Sequence, residues 1–344
     1  MRNYNDLFVV IVILLFLFTG CNNNSGSDNN NTTGNDSVTI DNLSKAIRDD
    51  PKNADLFFNR SQLYFGENKI DEAINDMSIA IKLDSLNPDL YIKAAEYYLL
   101  KGNSGKAKET LEKCTSLVPE NTRALTGLAK IHLYVQQYKE SMEYLLKAQK
   151  INKHMPDIYF IKGLIYKETF DTVRAIDNFQ ITVDKEPDHY EAYMMLGSLY
   201  SKQKNNLAID YFNNAKRLVP QSIEAYYMSG MHYQGMQNYD SALVEYENII
   251  NNIDSTYYPA HFNAGYINMQ YLGNYEKATG YFSGAINYNK QYAEAFHNRG
   301  YCYEKLNEFE KARKDYKKAM EIIPNYQLSI DGLNRIDERL LKNN

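Results

Sequence analysis

The chain has no tryptophan, only three cysteines and only eight prolines in 344 residues. Three cysteines, at 21, 114 and 302, cannot staple a chain of this length, so stability has to come from a packed apolar core. An excess of one charge is also lacking. The 38 basic and 43 acidic residues leave a net charge of −5, and the Lys and Arg are scattered, so the electrostatic footprint of a nucleic-acid binder is missing. No glycine-rich phosphate loop, G-x-S-x-G elbow or H-E-x-x-H occurs, and no two of the six histidines lie three or four residues apart. The pattern therefore names no catalytic residue, no metal ligand and no cofactor. The apolar run from Leu7 to Phe18 is twelve residues long. As a helix it reaches about 18 Å, short of the ~30 Å hydrocarbon core of a bilayer.

What the chain has in quantity is tyrosine, 31 residues of it, and a repeat. In the stretch Ala293–Tyr326, apolar and small residues recur at helical intervals on either side of a polar break near Asn307, which predicts two antiparallel amphipathic helices. Gly300, Ala312 and Ala319 stand where helices approach most closely, Phe296, Tyr303 and Tyr316 fill the space between the axes, and Pro324 ends the second helix. The spacing of Phe296, Gly300, Tyr303, Ala312, Tyr316, Ala319 and Pro324 in a 34-residue unit resembles the tetratricopeptide repeat. Arg299, at the usually apolar seventh place, departs from it. The resemblance implies an all-α fold, a right-handed superhelical solenoid of antiparallel helix pairs with a concave channel.

Taken in order, residues 1–20 read as a signal peptide, and Phe18-Thr19-Gly20-Cys21 resembles a bacterial lipobox, which implies lipidation of Cys21. Residues 21–37, rich in Asn, Ser and Gly, form a flexible tether. The solenoid occupies 38–344. A half-repeat at 38–51 precedes eight units at 54–87, 88–121, 122–155, 156–189, 190–222, 223–257, 258–292 and 293–326, and a capping helix follows at 327–344. The fifth unit is one residue short, and the sixth and seventh each carry one extra residue, expected in the turns. The whole is expected to behave as one cooperative stack.

In the family it resembles, the first helix of each unit lines the concave face through its second, fifth, ninth, twelfth and thirteenth places. Those places carried across give Phe58, Ile92, Leu99, Tyr134, Phe160, Met194, Tyr227, Met231, Phe262, Tyr266, Met269 and Tyr301 as candidate partner-binding residues. Five of them, Tyr227, Met231, Phe262, Tyr266 and Met269, are expected to form a continuous apolar patch suited to a peptide or amphipathic helix. A charged motif could dock instead at Arg123 and Lys130. The chaperone-tail clamp of some such arrays is absent, since Phe58, Gln62, Lys93, Arg123 and Gly127 occupy its places.

The expectation is a non-enzymatic lipoprotein of the bacterial envelope. It is anchored through Cys21 to the membrane, by the resemblance of Asn22 to a sorting signal the outer one facing the periplasm, and acts as a scaffold or adaptor for a protein or peptide partner, with no nucleic acid bound. The alternatives are a self-associating structural protein and a regulatory adaptor of an envelope enzyme.

Overall fold

The computed structural model describes residues 38–342. The signal segment, Cys21 and the tether to residue 37 lie outside them. The described residues form eighteen α-helices and no strand. They fall into two compact units, one ending at Asp171 and the other beginning at Thr172. The boundary lies in the turn between the two helices of the fourth sequence unit. Repeats touch only their neighbours, and an array has no central core to hold it to one unit.

The N-terminal unit comprises α1 (Ile40–Asp49), the pairs α2 (Ala54–Gly66) with α3 (Ile70–Leu83), α4 (Pro88–Leu100) with α5 (Ser104–Leu117) and α6 (Thr122–Tyr134) with α7 (Tyr138–Ile151), and α8 (Pro156–Glu168). The C-terminal unit begins with α9 (Thr172–Lys185). It continues with α10 (Tyr190–Lys202) and α11 (Leu207–Leu218), α12 (Ile223–Gly235) and α13 (Tyr239–Asn248), α14 (Tyr258–Gln270) and α15 (Tyr275–Tyr288), α16 (Ala293–Lys305) and α17 (Phe309–Ile322), and ends on α18 (Gln327–Lys342). Short turns make each pair an antiparallel hairpin. The first helix of a pair is called A below, the second B.

The A helices end in a common way. The turn residue takes a left-handed conformation, and the next residue donates its N–H to a carbonyl five positions back. Asn68 has φ 60° with Lys69 bonded to Tyr64 at 2.8 Å, and Asn307 has φ 60° with Glu308 bonded to Tyr303 at 2.8 Å. Asn suits such a turn because it tolerates positive φ. Phe170, also at φ 62° and 92% exposed, is the departure. The next A helix starts on a polar cap, as where Asn53, Asn87 and Asn121 accept backbone N–H groups of α2, α4 and α6.

Each hairpin is closed by a volume match between the eighth place of A and a large residue of B. In the C-terminal unit the eighth place is glycine, and a Cβ there would sit 2.5 Å from the Phe212 ring at Gly197, 2.6 Å from Tyr246 at Gly230, 2.9 Å from Phe282 at Gly265 and 3.0 Å from Tyr316 at Gly300. In the three hairpins that lie wholly in the N-terminal unit the partner is smaller and the eighth place larger. Ala95 packs in one cluster with Leu111, and the hydroxyl of Ser61 meets the sulfur of Met77 at 3.1 Å. Ala312 and Ala319 are fully buried, as their spacing requires.

The extra residue of the sixth unit is taken up differently from the sequence expectation. Instead of lengthening the turn, it widens the end of α13 into one π turn over Ile249–Ile253, which keeps Ile249 in the core. At the C-terminus, α18 buries Ile336, with Leu333 and Leu340 packed on the cluster of Ala312 and Tyr316.

Candidate partner-binding surface

On an A helix, residues four apart share a face, so the fifth and ninth places of α14 bring Phe262 and Tyr266 together, with centroids 6.4 Å apart. Tyr266 meets Tyr271 at 6.0 Å, and Tyr271 stacks on Tyr239 at 4.1 Å. In the other direction Phe262 meets Tyr292 at 4.7 Å, and Tyr292 meets Tyr258 edge-on at 5.4 Å. The result is an unbroken chain of six rings. A branch joins it through Asn263, whose amide donates to the Tyr227 hydroxyl at 3.2 Å and approaches the Met231 sulfur at 3.5 Å, while Tyr227 packs edge-on against Tyr257 at 5.6 Å. Burial raises the phenol of Tyr227, and that of Tyr257 to about 12, so these hydroxyls stay protonated and act as neutral hydrogen-bonding tips. Met231, Tyr258 and Tyr271 are exposed, and Tyr227, Phe262, Tyr266 and Tyr292 are half-buried, so the chain of rings is reachable from solvent.

The twelve candidate residues do not all lie on such a surface. Tyr134 and Met231 are exposed, and Phe58, Leu99, Tyr227, Phe262, Tyr266 and Tyr301 are half-buried. Ile92, Phe160, Met194 and Met269 are buried. Ile92 packs with Ala124, Leu128 and Ile131 of the next A helix, and Met269 with Cys302 of the next. The slot between neighbouring A helices takes an apolar side chain from this face, so these four are core instead of lining. Of the five expected patch residues, Met269 thus lies beneath the surface, and Tyr239, Tyr257, Tyr258, Tyr271 and Tyr292 join it. Place-by-place reasoning missed these five because they sit at the ends of helices and in turns. The available signal was the run of tyrosine at each junction, Tyr257-Tyr258 and Tyr292.

In the N-terminal unit the A helices carry paired charges beside the exposed Tyr134 and the half-buried Phe58 and Leu99. Arg123 of α6 reaches Asp89 of α4 at 2.5 Å, and Lys130 of α6 reaches Asp157 of α8 at 3.0 Å. Lys93 pairs with Glu96 at 2.5 Å; burial pushes the Glu96 carboxyl up, and Lys93, Arg123 and Lys130 oppose it. Arg123 and Lys130, the expected dock for a charged motif, are thus already paired within the chain.

The departure at Arg299 also finds its reason. Its guanidinium donates to both carboxylate oxygens of Asp315, at 2.6 and 2.8 Å, and to the Ser283 hydroxyl at 3.0 Å, between the rings of Phe296 and Tyr303. Arg60 makes the same clamp with Asp76, at 2.7 and 2.8 Å, and with Ser44 at 3.0 Å, between Phe57 and Tyr64. The recurring interval of sixteen residues from Arg to Asp was the sequence signal.

Burial pushes the thiol of Cys114 up to about 11 and that of Cys302 to about 12, so both stay protonated and serve as small packing groups. Among the described residues no three His, Cys, Asp or Glu gather as a metal site, and no helix is long and apolar enough to cross a membrane.

Family models described as tetratricopeptide repeat match residues 88–121, 122–154, 171–223 and 293–326. The chain is similar to the BBSome complex member BBS4 homolog of Drosophila melanogaster, at 26% identity over 44% of this chain and 32% of that protein. It is also similar to the bovine BBSome complex member BBS4, at 22% identity over 67% of this chain and 50% of that protein. It thus spans half or less of the length of these relatives. Among solved structures, the C-terminal part of a TPR repeat-containing protein from Cytophaga hutchinsonii superposes with a TM-score of 0.62 at 18% identity, covering 70% of this chain and 99% of the other. That likeness is one of fold. Such repeats typically serve as non-catalytic scaffolds for protein partners. The chain carries tetratricopeptide repeats, and its described residues fold as the helix pairs of such an array.

Proposed function

We propose that this protein is an envelope lipoprotein that holds a segment of a partner protein along the A-helix face of its C-terminal unit. The observation that carries the binding role is the solvent-reachable chain of rings from Tyr239 to Tyr258, with Met231 beside it. A buried core would account for rings, but Tyr258, Tyr271 and Met231 are more than a third exposed, and an apolar surface of this extent in water is stabilised by being covered. Rigid tyrosine rings with a polar tip and an adaptable methionine are the residue types that anchor partner segments.

The anchoring rests on the lipobox-like Phe18-Thr19-Gly20-Cys21 and the polar run after it. A diacylated Cys21 and a flexible tether would hold the repeats near the membrane, facing the periplasm. The test uses the full chain in cells of its native type. A photo-crosslinking residue at Met231 is expected to capture a discrete partner, and one at the exposed Val244, on the B helix α13, to capture none. Capture from Val244 alone would move the binding surface off the A-helix face. Labelling with a fatty-acid analogue is expected to mark the wild type and to leave Cys21→Ala unmarked.

A further inference from the structure

The chemistry of the partner segment can be read from charge, given the A-helix face as the binding surface. Residues 218–276, which contain α12, α13 and α14, include ten tyrosines and six carboxylates and no Lys or Arg. Three of those carboxylates are engaged, Glu245 with Lys216 at 2.7 Å, Glu247 with the Tyr281 hydroxyl at 2.5 Å, and Asp254, which accepts from the hydroxyl and backbone N–H of Thr256 at 2.6 and 2.8 Å. Glu224 is not. It is the second residue of α12, and neither it nor Glu294, the second residue of α16, has a hydrogen-bond or ion-pair partner among the described residues. Glu191 begins α10 in the same way and meets only His189, at 3.2 Å.

A carboxylate in the first turn of a helix is favoured by the helix dipole, which accounts for its presence there but not for its surroundings. Although the Glu224 side chain is exposed, local desolvation at the helix start and, secondarily, the Glu191 carboxylate push its carboxyl above the usual range. Burial raises the phenols of Tyr292 in the ring chain and Tyr257 on its branch, and Glu294 and Glu224 respectively add to it. The N-terminal edge of this face therefore combines negative potential with aromatic faces, and residues 218–276 supply no Lys or Arg to balance it.

We infer that the occupant of this face is a cationic stretch of a partner protein, with Lys or Arg heads directed to Glu224 and Glu294 and apolar stems laid over Tyr227, Phe262 and Tyr266. Ammonium and guanidinium groups are attracted both to unpaired carboxylates and to ring faces, and the stems of Lys and Arg cover apolar surface. An acidic segment would meet like charge, and a neutral one would leave the carboxylates under it desolvated and unpaired.

The inference rests on the proposed binding face, and one experiment separates the two. The full chain, solubilised in detergent, is panned against a random dodecapeptide library. Enriched sequences are expected to carry several Lys or Arg among apolar residues. A Glu224→Gln, Glu294→Gln double variant should bind the best of them roughly fivefold more weakly, with less dependence on salt. Tyr227→Ala with Tyr266→Ala should abolish binding. If the enriched peptides are neutral or acidic and still depend on the two tyrosines, the cationic inference fails and the binding face stands. If enrichment depends on neither pair, or no peptide is enriched, both fail. Concentration-dependent association of the chain with itself, lost in the tyrosine double variant, would identify a second copy as the occupant and also overturn the inference.

Discussion

Asp89 and Arg123, at the second place of successive repeats in the N-terminal unit, pair at 2.5 Å; the same place in the C-terminal unit holds Glu191, Glu224 and Glu294 and no base. The packing differs in parallel. Hairpins of the N-terminal unit close with Met77 on Ser61 and Leu111 near Ala95, whereas those of the C-terminal unit close with Phe or Tyr rings on glycine. An A-helix face whose charges meet across the junction is complete in itself. A face of rings and unpaired carboxylates is complete only when something covers it. One repeat motif therefore yields two surfaces of different character, and what distinguishes them is what fills a few places.

The largest expected effect concerns the one feature both units share. Removing one partner of a buried ion pair strands the other charge, at a cost of about 3 to 5 kcal/mol. Arg60→Ala and Arg299→Ala should each lose that much, since Asp76 and Asp315 are all but inaccessible. Hydrogen exchange should place the loss in the N-terminal unit for the first and the C-terminal unit for the second. A paired replacement, Arg299→Leu with Asp315→Leu, should recover most of it. Equal exchange rates in wild type and both single variants would show that the clamps contribute nothing.

The packing contrast can be broken directly. Gly230→Ala places a Cβ 2.6 Å from the Tyr246 ring and should cost about 1 to 3 kcal/mol by overpacking. Adding Tyr246→Leu converts the hairpin to the Ala/Leu kind found in the N-terminal unit, and should restore part of the loss. A double variant that melts lower than Gly230→Ala alone would show that the match of ring to glycine is not what closes these hairpins.

A smaller effect depends on pH. His297 is held to about 4 by burial and by Arg335, with Glu304 pulling the other way, and its Nδ1 lies 3.0 Å from the Ser329 hydroxyl. A neutral imidazole in the folded chain and an ordinary one near 6.5 in the unfolded chain means stability is complete above 6.5 and is lost as pH falls from there towards 4. Because the ring is half-buried, the full shift is discounted to about 2 kcal/mol. Denaturant titrations of wild type and His297→Gln across that range should show a shallower decline in the variant. Parallel declines would assign the loss to other groups.

The smallest effect belongs to the exposed pair. Arg123→Ala should change stability by about 1 kcal/mol or less, because both partners are more than half exposed. A larger loss, read from the same titrations, would mean that the charged face of the N-terminal unit is held together more firmly than surface ion pairs usually are.

The helix pairs were legible in the sequence because close packing of hairpins allows few solutions. A glycine or alanine must stand where axes approach, an aromatic where they diverge, and a chain with the pattern of Gly300, Ala312, Tyr316 and Ala319 has only one way to bury it. The proposed binding surface was legible only in part. Phe262, Tyr266, Tyr227 and Met231 follow from helical spacing, but spacing puts Met269 on the same face and cannot say that it slides into the slot beside Cys302.

What the sequence by itself determined is the period, the all-α class and the place of each small residue, since these depend on contacts between residues close in the chain. What only the tertiary structure decided is which charges are neutralised and which rings are exposed. Arg299 reads as a fault in the repeat until Asp315 and Ser283 are seen around it, and Arg123 reads as a free dock until Asp89 is seen beside it. Glu224 and Glu294 look no different from Asp89 in sequence. Only their neighbours across the junction show that one carboxylate is paired and the others are not, because pairing is a property of two side chains brought together from separate repeats.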